Sequence, residues 1–153
     1  MKKNNAIKSE LYNLCLLSLN HRLEAVQTKI AEIQESLTSE TKSSAGDKHE
    51  TGRAMLQLER EKAGVQLSEI QKQQNTLTKM KVLNTSKTIC LGSVVYTSKS
   101  NYFVAISAGA FSIAGELFYA ISPQTPIGKL LLGKTVLNEI AFNNQTNKIE
   151  AII

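Results

Sequence analysis

The chain has 153 residues, of which 42% are hydrophobic and 5% aromatic, with no tryptophan and a formal net charge of +5. That length holds one ordinary domain or two small ones. The modest charge permits contact with an acidic protein or nucleic acid, but no dense Lys/Arg cluster with interleaved aromatics is present, which argues against independent sequence reading of DNA.

The charge is unevenly spread. Residues 1–81 carry 13 Lys/Arg and 10 Asp/Glu, whereas residues 82–153 carry 5 and 3. The second half is instead rich in β-branched and aromatic residues. The expected fold class is therefore α+β. A coiled-coil helical hairpin over 1–81, a linker over 82–88 and a small antiparallel β domain over 89–153 are predicted.

In the first arm, Leu16, Leu19, Leu23, Val26, Ile30, Ile33 and Leu37 alternate at spacings of three and four. This is an a/d seam with polar residues between. Leu14 and Leu17 widen the apolar face near the base, which predicts that the second domain covers them. The second arm runs from about Asp47 to Met80. Leu56, Ala63, Leu67, Ile70 and Leu77 repeat with Arg60 and Gln74 at the remaining seam positions. Gly64 weakens it by about 1 kcal/mol relative to alanine.

Thr38 to Gly46, rich in Ser, Thr and Lys, joins the arms. A short linker between long amphipathic helices favours antiparallel neighbours. The expectation is a monomeric hairpin projecting on the order of 50 Å. A dimeric coiled coil acting as an adaptor is the plain alternative.

The junction reads Ala45-Gly46-Asp47-Lys48-His49-Glu50-Thr51-Gly52-Arg53-Ala54-Met55. Asp47 and Glu50 stand at the far end of the hairpin, one helical turn apart. Two exposed carboxylates there can present hard oxygens to a metal or a water. The same pair fits a capping box at the start of the second helix, with Asp47 as N-cap. Lys42, Lys48 and Arg53 flank the acids and suit phosphate contact. His49 has no second His or Cys nearby and is expected to be a bystander.

Cys15 and Cys90 lack metal-ligand spacing, so a reducing cytoplasm is the default expectation. The apolar run from Leu14 to Leu19 is too short for a signal peptide. Ala105 to Ile121 contains Glu116 and two glycines and is not expected to span a membrane.

In the second half, Ile89–Thr97 and Tyr102–Ser107 read as strands around a turn at 98–101. Ala108–Ala114 is a possible third element and Glu116–Ile121 a further strand. Ser122 is a candidate N-cap with Pro123 at the first helical position and Gly133 as the stop. Val136–Phe142, a turn at Asn143-Asn144, and Lys148–Ile153 complete the sheet.

Two of these motifs carry a family resemblance. Gly46, Asp47 and Glu50 match the Gly-Asp-x-x-Glu tip of the bacterial Gre transcript-cleavage factors, and Ser122-Pro123 through Gly133-Lys134 resembles their late Ser-Pro to Gly-Lys region. That family joins an antiparallel coiled-coil hairpin to a domain shaped like the FK506-binding proteins. The resemblance implies a chain that enters the secondary channel of RNA polymerase. Asp47 and Glu50 would share Mg²⁺ with the polymerase acids in the cleavage of backtracked RNA. Lys42, Lys48 and Arg53 would contact polymerase or the nascent RNA 3′ end. The chain alone would then be no enzyme and would hold no cofactor in isolation. After the glutamate the family usually continues Asn-Ala-Glu-Tyr, whereas this chain has Thr51-Gly52-Arg53-Ala54. Some relatives of this architecture enter the same channel and inhibit, which is the alternative implied. The FK506-binding shape alone would suggest a prolyl isomerase or chaperone, a reading that rests on fold analogy only.

Overall fold

The computed structural model describes residues 2–42 and 46–153, the side chains of 40–42 and 46–49 excepted. Two long helices, α1 (Lys2–Lys42) and α2 (Gly46–Lys79), precede six strands and one short helix. The fold class is α+β. The chain forms two compact units, one of Leu19–Gln74 and the other of the residues up to Ser18 with Asn75–Ile153.

The first unit is an antiparallel pair of helices. Arg22 Nη2 donates to Gln73 Oε1, and Arg53 Nη1 donates to the Leu37 carbonyl at 3.2 Å. Ile33, Leu37 and Ala63 are buried together, with Ile30 and Leu56 packed against them. The α2 seam follows the sequence pattern. Ala63 and Ile70 are buried, and Leu56, Arg60, Leu67 and Gln74 are half-buried. Thr38–Lys42, read from composition as linker, continues α1. No Pro or Gly interrupts that stretch, and Thr38 Oγ1 donates back to the Gln34 carbonyl at 3.0 Å.

The base of α1 departs from expectation. Leu16 and Leu17 are exposed at 37% and 56%, while Leu11 and Cys15 are fully buried and Lys8 nearly so. The buried positions Lys8, Leu11, Cys15 and Leu19 are separated by three, four and four residues. Such an eleven-residue step turns the buried stripe relative to a heptad. The strict three-four pattern picked out Leu16 because leucine hid this change of phase. Within the same unit, Tyr12 Oη donates to the Leu77 carbonyl at 3.1 Å. Lys8 Nζ donates to the Asn84 carbonyl at 2.9 Å. The start of α1 is thus tied to the end of α2 and to the segment after it.

The sheet comprises β1 (Val94–Thr97), β2 (Asn101–Val104), β3 (Gly109–Ile113), β4 (Glu116–Ile121), β5 (Glu139–Phe142) and β6 (Gln145–Ile152). Their spatial order is β3-β4-β2-β1-β6-β5. Pairing is antiparallel except between β2 and β4, which are parallel from Asn101 opposite Phe118 to Val104 opposite Ile121. The sheet is mostly antiparallel, as expected from sequence, with this one parallel pair as the exception. A tight turn at Ala114 and Gly115, with φ of 52° and 81°, folds β4 back between β3 and β2. Strand β4 therefore runs the same way as β2.

Helix α3 (Pro126–Leu131) starts later than the Ser122-Pro123 reading expects. Thr125 is its N-cap, and Thr125 Oγ1 accepts from the Gly128 N–H. A helix capped by Ser122 would need the nitrogen of residue 126 to donate to the Ser122 carbonyl. Pro126 has no N–H, so it sits instead at the first helical position, where none is needed. Ser122 to Thr125 forms a turn, closed by Thr125 N donating to the Ser122 carbonyl at 3.1 Å. Gly133 ends the segment at φ 78°, and Asn143-Asn144 turn β5 into β6 with φ of 51° and 61°, as a tight hairpin requires. Helix α3 covers a core in which Ile127 and Leu131 pack with Val95, Tyr102, Val104, Ile140 and Ile149. Among the described residues, no helix is long and apolar enough to cross a membrane.

Candidate functional site at the hairpin junction

Helix α1 ends at Lys42 and α2 begins at Gly46, so the start of α2 lies at the turning end of the hairpin. Gly46 already has helical backbone, which places Asp47 inside the first turn and Glu50 three residues later. Asp47 thus stands within the helix, and the side-chain contacts that a capping box would need lie outside the described residues. A carboxylate at such a backbone position is favoured by the positive end of the helix dipole.

The i, i+3 spacing puts Asp47 and Glu50 on one face of α2. Glu50 is exposed. The side chains of Asp47, Lys48, Lys42 and His49 lie outside the described residues. Arg53 continues the same face one turn on. It is half-buried, and its Nη1 donates to the Leu37 carbonyl of α1. The guanidinium named from sequence as a phosphate or polymerase contact thus also joins the two arms.

Sequence reading missed Lys8 and its surroundings. Burial lowers the pKa of Lys8, and the neighbouring Cys90 thiol partly offsets this by raising it. Burial pushes the Cys15 thiol up to about 12, whereas Cys90 is exposed. Lys8 stands three residues before Leu11 in the buried stripe. That spacing was the available signal, and a lysine at a seam position masked it.

The site's donor set is two carboxylates on one helix face flanked by cations. Hard oxygens in that number suit Mg²⁺ held jointly with ligands from another molecule, since Mg²⁺ keeps several waters and needs no full protein cage. No family model matches the chain, and no curated protein matches it.

Proposed function

We propose that the protein is a transcription elongation factor of the Gre type, which enters the secondary channel of RNA polymerase with the junction of its helical hairpin. One observation carries the reading. An exposed glutamate, Glu50, follows Asp47 by one helical turn at the turning end of two antiparallel arms. The resemblance of Gly46, Asp47 and Glu50 to the family tip supports it.

In this reading Asp47 and Glu50 present carboxylate oxygens to the polymerase active centre, and Lys42 and Lys48 meet RNA phosphates. Arg53, through its bond to Leu37, holds the arms in register so that the acids arrive together. Mg²⁺ shared with the polymerase acids would supply stabilisation of the attacking and leaving oxygens of the cleaved phosphodiester. The chain contributes ligands and position, and the polymerase contributes the catalytic centre. The protein is thus proposed to be cytoplasmic, monomeric and without hydrolytic activity of its own.

A second reading is favoured by Arg53. The family carries an acid among the residues after the tip glutamate, where this chain has a cation turned toward α1. A tip with one acid fewer suits a channel regulator that does not stimulate cleavage. The test is RNA release from stalled, backtracked polymerase complexes with and without the protein. Shortened transcripts and released 3′ fragments support the first reading. Binding without cleavage supports the second, and no binding to polymerase removes both.

A further inference from the structure

Strand β3 forms one edge of the sheet. The tight turn at Ala114 and Gly115 closes on Ile113 opposite Glu116. In such a hairpin the pair beside the turn exchanges both of its hydrogen bonds, and bonded and unbonded pairs then alternate. Ile113, Phe111 and Gly109 therefore bond to β4, and the N–H and C=O of Ala110 and Ser112 point away from the sheet. Among the described residues, no other group bonds to these outward atoms.

This edge lacks the usual guards against strand addition. Gly109, Ala110 and Ser112 are exposed, and the strand Gly-Ala-Phe-Ser-Ile contains no charge and no proline. The opposite edge, β5, carries the exposed Glu139. On β4, Leu117 stands opposite Ser112 and Tyr119 opposite Ala110, and these two are 46% and 38% exposed. Two large apolar side chains thus border two small ones at the free edge.

The register selects the occupant. A two-fold axis through Phe111 sets Ala110 opposite Ser112 of an identical, antiparallel strand. Those are the residues whose backbone groups are free, so each N–H meets a C=O and each C=O an N–H. A shift by one residue would face them with groups already bonded to β4. Phe111 meets its own copy as the close, unbonded pair, on the face it shares with Phe118.

We infer that β3 pairs antiparallel with β3 of a second copy of this chain, joining two sheets into one. A single strand pair is a small interface beside the roughly 1,200 Å² or more of stable complexes. Pairing is therefore reversible and forms in concentrated protein, and the lone chain is the species that the tip reading employs. The inference does not depend on that reading.

The test is sedimentation of the full chain over a concentration series reaching about 1 mM, joined to amide hydrogen exchange by NMR. A monomer–dimer equilibrium is expected. Exchange at Ala110 and Ser112 should slow as dimer forms, while Phe111 and Ile113 stay unchanged. Ser112→Pro removes an outward N–H and spares the ladder to β4, and it should weaken pairing more than about tenfold. Ala110→Lys and Ser112→Glu, both at exposed positions, bring like charges together diagonally across the seam and should each weaken it about threefold. Mixed in equal amounts, these two variants should pair more tightly than either alone, because the new lysine then lies opposite the new glutamate. Absence of dimer at the highest concentration overturns the inference. So does a dimer in which the Ala110 and Ser112 amides exchange as in dilute solution, the result that contact through the hairpin would give. A mixture that pairs no better than its components overturns it too.

Discussion

Arg53 Nη1 lies 3.2 Å from the carbonyl oxygen of Leu37, so a cation of the second helix latches onto the backbone of the first close to where the chain reverses. The contact is partly buried, and Leu37 beneath it is 9% exposed. Replacing Arg53 with Met keeps the aliphatic stem and removes the donor. Arg53→Met is expected to lower stability by about 1 kcal/mol. Urea unfolding followed by circular dichroism measures this, and an unchanged midpoint would show that the latch contributes nothing.

Two glycines should respond in opposite senses to alanine. At Gly64 an added Cβ meets only the end of the Arg60 side chain, at 3.4 Å. Gly64→Ala should therefore stabilise the hairpin by about 0.5–1 kcal/mol. At Gly128 the Cβ would fall 2.2 Å from the Ser122 carbonyl oxygen and 2.9 Å from Pro123 Cα. Both are backbone atoms of the turn that leads into α3. Gly128→Ala should destabilise by about 3 kcal/mol. Thermal melts of the two variants should move apart, and a shift of the same sign in both would refute this packing.

The two cysteines should differ sharply in reactivity. Cys15 is fully buried in α1 with its thiol pKa raised to about 12, and Cys90 is exposed. A thiol reagent should modify one cysteine in the folded chain and two in denaturant. Rapid modification of Cys15 in the native state would show that the base of α1 opens readily.

Burial of Cys15 and Lys8 also sets the alkaline behaviour. The folded pKa of Cys15 lies above its ordinary value of 9.0. Its contribution to stability is therefore complete below pH 9 and is lost as pH rises toward about 12, because the folded chain holds the proton longer than the unfolded one. Lys8 works in the other direction. Its folded pKa lies below 10.5, so the unfolded chain binds more protons just below that pH, and stability gains as pH rises there. Lys8→Met removes this gain, and Cys15→Ala removes the loss above pH 9. Unfolding midpoints measured from pH 7 to 11 should separate the two slopes. Curves for both variants parallel to the unaltered chain would exclude this account.

The sequence made the two-part architecture legible because charge and periodicity both change near Val82. The seam of α2 was readable residue by residue, even through Arg60 and Gln74. The base of α1 was not. The buried stripe there changes phase at Leu19 and admits Lys8 and Cys15, while the exposed Leu16 imitates a continued heptad and the exposed Leu17 a wider apolar face. The start of α3 was misplaced because Ser122-Pro123 and Thr125-Pro126 are equivalent signals three residues apart. Only the missing N–H of Pro126 decides between them. The parallel pairing of β2 with β4 depends on a chain reversal at Ala114-Gly115, and strand patterns carry no information on which neighbour a strand selects. At the tip the acids were evident from sequence. The Arg53 latch was not, because it joins residues that become neighbours only when the hairpin closes.

The central claim is that Asp47 and Glu50 serve RNA polymerase in trans. The most direct measurement compares Mg²⁺-dependent RNA cleavage in backtracked polymerase complexes for the unaltered chain, Asp47→Asn and Glu50→Gln. Both amides preserve shape and keep one acceptor oxygen while removing the negative charge. The account predicts stimulated cleavage by the unaltered chain, normal helix content and polymerase binding for both variants, and loss of most of the stimulation in each. Amide variants that stimulate as well as the unaltered chain would contradict the account.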